Sequence, residues 1–360
     1  MFLERTSVGL DVHARSVAAA AIDGVTGEVF RARLVPSPEV VIGWIGSLPA
    51  PAAAVYEAGP TGFGLYRALT EAGIRCDVAA SSKLTRPSGD RVKTDARDAL
   101  LLARLLRLDE VVAVSVPSRE QEAARDLVRA REAARADLMR ARHRLSKLLL
   151  RHGIVYSGGK GWTGAHDRWL LRQSFLLAGT QAAFEDAYEA QVLAVGRRDR
   201  LDEKITTLAL DSEFTPVVRR LSCLRGISTL TAFGLAVEIG DWDRFTGASI
   251  GAYLGLVPSE HSSGASRSQG SITKTGNGHV RRLLVEAAWH HRKPYRPTAV
   301  LRRRWEQAPP AARARGHAGN RRLHARWASH AERKKPPVVT NVAVARELAG
   351  WCWSLALLPD

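Results

Sequence analysis

Cysteine is scarce in this chain of 360 residues. Cys76, Cys223 and Cys352 are too few and too scattered for a disulfide framework or a zinc site, and they fit a reducing compartment. A signal peptide is not expected, because Met1 to Ser7 carries both acid and base and no apolar core follows. Long apolar runs are missing as well: the most apolar stretch, Val338 to Leu358, holds Arg346 and Glu347 at its middle and reads as a packed helix rather than a membrane span. Acid is short against base, with 36 Asp and Glu facing 53 Lys and Arg, and the net charge of +17 makes a polyanion the natural partner. That excess is local. From Ser266 to Lys335, 18 Lys and Arg face only Glu286, Glu306 and Glu332, which leaves +15. What is present, 45% hydrophobic and 25% charged residues, is a globular composition long enough for two or three domains with real cores.

The few acids are placed with a pattern. In Lys93-Thr94-Asp95-Ala96-Arg97-Asp98-Ala99, Thr94 is expected to N-cap a helix that continues through Leu100 to Leu106, with Asp95 and Asp98 three residues apart on one face. Alone, such a pair means only that acids favour a first helical turn. Val8 to His13, however, reads as a strand with Asp11 inside it, joined through Ala14-Arg15-Ser16 to a second strand at Val17 to Ile22. An acid in a first strand is costly without a partner or a cation. Ala52 to Glu57 is a further strand that ends in an acid and the Gly59-Pro60 turn. Asp11, Glu57, Asp95 and Asp98 converge if the strands lie side by side and the helix packs across them. Four carboxylates together repel, and the remedy is a hard divalent cation held by oxygen: two Mg²⁺, with Mn²⁺ as a substitute. Two such ions about 4 Å apart clamp the attacking and leaving oxygens of a phosphodiester.

Gly9-Leu10-Asp11-Val12-His13, Tyr56-Glu57-Ala58-Gly59-Pro60-Thr61-Gly62 and Lys93 to Ala99 together resemble the DEDD transposases of bacterial insertion sequences, the insertion-sequence one-ten type, also called bridge-RNA-guided recombinases. The resemblance implies an N-terminal domain like the Holliday-junction resolvase RuvC, an α/β RNase H-like fold, followed by a long helical coiled-coil middle and a mainly α-helical C-terminal transposase domain. The expected boundaries are 1–115, 116–220 and 221–360. Strands at Glu28 to Val35 and Cys76 to Ala79, with helices at Glu39 to Ser47 and Phe63 to Gly73, complete a mixed sheet with helices on its faces.

Further along, Ser118 to Gly153 reads as one long helix with Leu127, Ala134, Ala141 and Leu148 spaced by sevens and Leu138 and Leu145 on the alternate seam. Its partner is expected in Gln181 to Leu210, through Tyr188, Val192, Val195, Leu201, Ile205 and Leu208, within one chain or between two; the resemblance implies dimer or tetramer assembly. Ser157 to Gly161 is a flexible joint between them. Leu224 to Ala232 resembles a helix-hairpin-helix, with Ser228 where a second glycine is common. The succession Leu254-Gly255-Leu256-Val257-Pro258, Ser262-Ser263-Gly264 and Thr273-Lys274-Thr275-Gly276-Asn277 resembles the C-terminal domain of the same family, whose serine before glycine is the nucleophile. Carried over, that residue is Ser263, with Ser262 as the alternative. A serine hydroxyl needs a base or a metal to weaken its proton, and a Mg²⁺ on the carboxylates is a more economical activator than the adjacent His261. The two domains would then share one composite site.

Arg91, Lys93, Arg267, Lys274, Arg281, Arg282, Arg302, Arg303, Arg304, Arg321 and Arg322 are candidates for nucleic-acid contact. Trp289, Trp305 and Trp327 among them either stack on unpaired bases or fill a core. Pro294 to Pro337 has loop-like composition and is expected to order only on nucleic acid. The reading is a transposase or recombinase of the bacterial cytoplasm and nucleoid that cuts and rejoins donor and target DNA, with a guide RNA implied by the resemblance and no membrane partner. The competing readings are a RuvC-like nuclease using water alone, a sugar kinase or actin-like ATPase, which needs a second glycine-rich phosphate loop and gives no reason for +15 at one end, and a purely structural nucleic-acid binder.

Overall fold

Alternating small and branched apolar residues make three strands at the start of the chain: β1 (Thr6–Val12), β2 (Val17–Asp23) and β3 (Val29–Leu34). The computed structural model describes residues 4–84, 94–260 and 268–359, and it divides into two compact units, Met1–Pro117 and Ser118–Asp360. In the first unit, helix α1 (Pro38–Gly46) leads to β4 (Ala52–Glu57), then α2 (Gly64–Glu71), β5 (Arg75–Ala79) and α3 (Asp95–Arg107). The sheet order is β3-β2-β1-β4-β5. The hairpins β1-β2 and β2-β3 are antiparallel, whereas β1, β4 and β5 run parallel.

Alternation gives each central strand two buried faces. Val8, Leu10, Ala54 and Tyr56 pack with Val41 and Ile45 of α1 and Leu69 of α2. On the opposite face, Ala53, Val55 and Ala79 pack with Leu102 and Leu106 of α3. Each buried leucine contributes roughly 1.5–3 kcal/mol. Helix α3 lies so close to β1 that a Cβ on Gly9 would stand 2.0 Å from the Ala99 carbonyl oxygen and 2.5 Å from the Ala103 nitrogen. Both are backbone atoms, so no rotamer relieves the clash. Gly9→Ala is therefore expected to cost about 2 kcal/mol, measured by urea unfolding, and to push α3 outward.

The second unit opens with α4 (Arg119–Arg151), α5 (Gly164–Leu170) and α6 (Ala178–Leu210). Ser118 caps α4 by accepting from the Gln121 N–H. Helices α4 and α6 pair within the one chain and run antiparallel, since Arg131 bonds Asp202 at 2.6 Å while Asp137 meets Arg197 at 3.0 Å. Ala134, Leu138, Ala141 and Leu145 are buried as their spacing predicts. The expected seam of α6 is corrected in part: Ile205 is buried as expected, but Val192 and Leu208 are 46% and 38% exposed, and the other buried positions are Phe184, Gln191 and Ala209.

Helices α7 (Thr215–Leu221), α8 (Thr229–Ile239), α9 (Ser249–Tyr253), α10 (Gly278–Ala288), α11 (Ala299–Glu306), α12 (Pro310–Glu332) and α13 (Pro337–Ala356) complete the unit, with the short antiparallel pair β6 (Pro258–Glu260) and β7 (Gln269–Ile272). One core joins the start of α4 and the end of α6 to α7, α8, α10, α12 and α13. The expectation of a loop-like Pro294 to Pro337 is wrong. Helix α12 buries Ala312, Gly316, Gly319, Leu323 and Trp327 at helical spacing, and small residues there let the backbone approach Cys223 and Trp351. A seam of alanine and glycine is an apolar face without large side chains, so composition hid it. Trp327 is core, and the Trp305 indole donates to the Cys223 carbonyl at 3.1 Å. Among the described residues no helix is long and apolar enough to cross a membrane.

Candidate active site

Leu10 of β1 pairs with Tyr56 of β4, so the residues that follow, Asp11 and Glu57, leave the two strands side by side, on the face that α3 covers. Helix α3 begins at the same end with Asp95 and Asp98 in its first turn. Thr94 takes the N-cap position with an extended backbone, and its carbonyl accepts from the Arg97 and Asp98 N–H groups at 2.9 and 3.0 Å. Its hydroxyl makes no cap bond, contrary to the expected side-chain cap. The chain turns back after β1 through a hydrogen bond from the His13 N–H to the Ser16 carbonyl, which swings the imidazole over the strand end. His13 Nε2 lies 3.1 Å from Asp11 Oδ2 and 3.7 Å from Asp95 Oδ1.

Burial pushes the Asp11 carboxyl above the usual carboxylate range; the hydrogen bond and charge of His13 pull it down, and the charges of Asp95 and Asp98 push it up again. A carboxylate this disfavoured gains from a cation. The ligand atoms of Asp11, His13 and Asp95 all lie within 4.8 Å of one another. Two hard oxygens and one imidazole nitrogen, with Glu57 in register beside them and Asp98 one turn on, fit a divalent metal ion. The Asp95 and His13 side chains are about half exposed, at 52% and 53%, so the cluster is open to a large substrate.

Residues 8–154 match a family described as Transposase, the DEDD type of IS110 elements, and residues 218–300 match the Transposase IS116/IS110/IS902 family. A Sinorhizobium fredii protein named as transposase y4qE is 41% identical over 308 residues, 84% of this chain and 74% of its own length. The transposase for insertion sequence element IS1533 of Leptospira borgpetersenii is 31% identical over 339 residues, 91% of this chain and 97% of its own. The chain belongs to the IS110/IS116 transposase family. It is therefore an enzyme of DNA cleavage and strand transfer.

In this transposase, Ser262 and Ser263 lie outside the described residues, as do Arg91, Lys93, His261 and Arg267. The strands β6 and β7 that flank the serines are anchored at their base. Gly255 and Gly276, both at positive φ, bring the backbone around Tyr253 and Leu254 against Lys274 and Thr275; a Cβ on Gly276 would stand 1.9 Å from the Tyr253 carbonyl oxygen. Arg281 ties the two segments together through the Leu254 and Thr275 carbonyls at 2.9 and 2.7 Å.

Behind this base sits a group that sequence reading missed. Glu238 is buried on α8 and accepts from Arg129 at 3.1 Å on each oxygen, from the Asn277 amide at 2.9 Å and from His279 at 3.4 Å. Asn277 in turn caps α10 by accepting from the His279 and Val280 N–H groups. Gln121 and Arg125 of α4 cover the Val237 and Glu238 carbonyls at the end of α8. Burial alone would raise the Glu238 pKa, but the bonds from His279, Arg129 and Asn277 and the Arg129 charge outweigh it and hold it at about 2.

The basic candidates divide into two groups. Arg281 holds carbonyls, Arg282 pairs with Glu132 and Glu286, Arg304 donates to the Ile227 carbonyl at 2.7 Å, and Arg322 pairs with Glu347. Arg302, Arg303 and Arg321 are exposed and form no ion pair among the described residues, and Lys274 occupies a turn at φ 56. In the turn that resembles a helix-hairpin-helix, Gly226 has φ 86 and packs on the Ala287 carbonyl, while Ser228 caps α8 through the Thr231 N–H.

Proposed function

We propose that this transposase cuts and rejoins DNA with Ser263 as nucleophile and with Mg²⁺ held by Asp11, Glu57, Asp95 and Asp98, His13 standing beside them. The observation that carries the metal reading is the meeting of Asp11, His13 and Asp95 at the end of β1, with Asp11 raised by burial and by its acidic neighbours. The sheet order β3-β2-β1-β4-β5, with carboxylates at the ends of β1 and β4, supports an RNase H-like reading of the first unit. Bound there, Mg²⁺ would neutralise charge on the phosphodiester and favour departure of a sugar oxygen. Ser263 Oγ forms the new bond to phosphorus as the bond to one sugar oxygen breaks. The serine proton passes to a base or to water, and the departing oxygen gains one. Rejoining reverses the exchange with a different sugar hydroxyl. The positive stretch from Ser266 to Lys335 supports binding to DNA and to a structured guide RNA, with Arg302, Arg303 and Arg321 offering free guanidinium groups to phosphates. The paired helices α4 and α6 support a coiled-coil element in assembly of two or four copies.

The test is covalent trapping. Purified transposase, element-end DNA, flanking non-coding RNA and Mg²⁺ are expected to give a protein-DNA adduct on a denaturing gel, absent in Ser263→Ala and retained in Ser262→Ala. Cleavage that survives Ser263→Ala with no adduct would replace the serine by water and leave a RuvC-like nuclease.

A further inference from the structure

At the far end of the α4/α6 pair, a cavity of about 460 Å³ opens between α4, α5 and α6, a size within the range of roughly 300–1,000 Å³ typical of ligand pockets. Its lining is not that of a core. Gln191 on α6 is only 6% exposed and lines the cavity, and among the described residues no hydrogen bond engages its amide. Both a donor and an acceptor are thus left open to a ligand in the cavity. Arg142 on α4 also lines it, has no acid partner among the described residues, and leaves its buried Nε without a hydrogen bond. Its guanidinium lies over the Trp162 ring at 4.8 Å, and burial followed by the charge of Arg198 disfavours its charged form. Arg198, which bonds Asp199, lines the same space; the Asp167 carboxylate there is engaged by the Tyr188 hydroxyl at 3.0 Å. Trp162 adopts φ 60, a conformation costly for a bulky side chain and concentrated at ligand sites, where the surrounding structure enforces it. Its backbone N–H donates to His166 Nδ1 at 3.2 Å, which fixes the turn.

An aromatic face, a free amide and two guanidinium groups on one cavity are the complement of a nucleotide. We infer that this cavity takes a single unpaired nucleotide of a bound nucleic-acid strand, its base stacked on Trp162 and read by Gln191, its phosphate held by Arg142 and Arg198. Stacking serves any base, and an amide reads a base edge that only an unpaired nucleotide exposes. The inference rests on the family's action on nucleic acid and is independent of Ser263.

The test uses the full chain and short single-stranded RNA and DNA pentamers carrying one 4-thiouridine or 4-thiothymidine, with cross-linked peptides mapped by mass spectrometry. Cross-links are expected within residues 156–198, with yield falling about tenfold in Trp162→Ala, in Gln191→Leu and for a pentamer made abasic beside the probe. Gln191→Leu keeps the side-chain size, so its melting temperature and its retention on duplex DNA should match the wild type. Cross-links confined to other segments, or yields unchanged in both variants, would overturn the inference. Competition by AMP or UMP at the pentamer's own concentration would overturn a strand-borne nucleotide in favour of a free one. Adduct formation in the Ser263 assay is read separately, so either reading can fail alone.

Discussion

Asp11→Asn is expected to fold, to lose DNA cleavage by about 10³-fold, and to melt no lower than the wild type in the absence of metal. The two effects have one cause. Burial and the charges of Asp95 and Asp98 disfavour the Asp11 carboxylate, so a neutral amide of the same shape relieves the site. The same substitution removes a hard oxygen ligand from the only cluster of three potential metal ligands among the described residues. The wild type should gain stability on titration with Mg²⁺ or Mn²⁺, by about 2.7 kcal/mol when the ion is at 100 times its Kd, and the variant much less. Thermal melts with and without metal, beside a cleavage assay, check both. A variant that unfolds without metal would make Asp11 a structural residue held by His13.

Glu238→Ala is expected to destabilise the second unit by on the order of 3 kcal/mol, seen in urea unfolding at pH 7. Arg129 is 60% exposed and returns to water, which limits the loss, but Asn277 and His279 lose their acceptor behind the base of β6 and β7. The pH dependence has a definite sign. The folded carboxyl has a pKa of about 2 against an ordinary value of 4.5, so its contribution is complete above 4.5 and is lost as pH falls toward 2. Glu238→Gln should keep much of the packing while flattening the stability profile across that window. A profile as steep as the wild type's would assign the acid sensitivity to other carboxylates.

The first unit was legible because each feature is local. Strands of six or seven residues show their alternation, and an acid at the end of a strand or in the first turn of a helix is conspicuous beside apolar neighbours. Register then made the four acids one question, since β1 and β4 are parallel neighbours and α3 crosses both. His13 stood in the quoted motif, but its position over Asp11 depends on the turn back at Ser16. Glu238 was not legible. It sits in the apolar run Leu235 to Ile239, and its partners are 39 to 109 residues away. The count of arginines read the charge correctly but not its use, because Arg281 and Arg304 serve backbone carbonyls that no spacing reveals. In α6 the large residues Val192 and Leu208 suggested a seam that Gln191 and Ala209 in fact occupy, a shift of one residue each.

The order in which the chain is made gives the core of the second unit another meaning. Asp11, Glu57, Asp95 and Asp98 have all been synthesised once α3 is complete, and the first unit has two cores of its own that need nothing from the second unit. Val344, Leu348, Cys352 and Leu355 of α13 belong to the core that also holds α7, α8, α10 and α12. Domains fold as units during synthesis, the N-terminal one first. The carboxylate cluster is therefore assembled well before the unit that carries Ser263 has a core to fold around, and the growing chain passes through a stage with the acids in place and the serine unanchored.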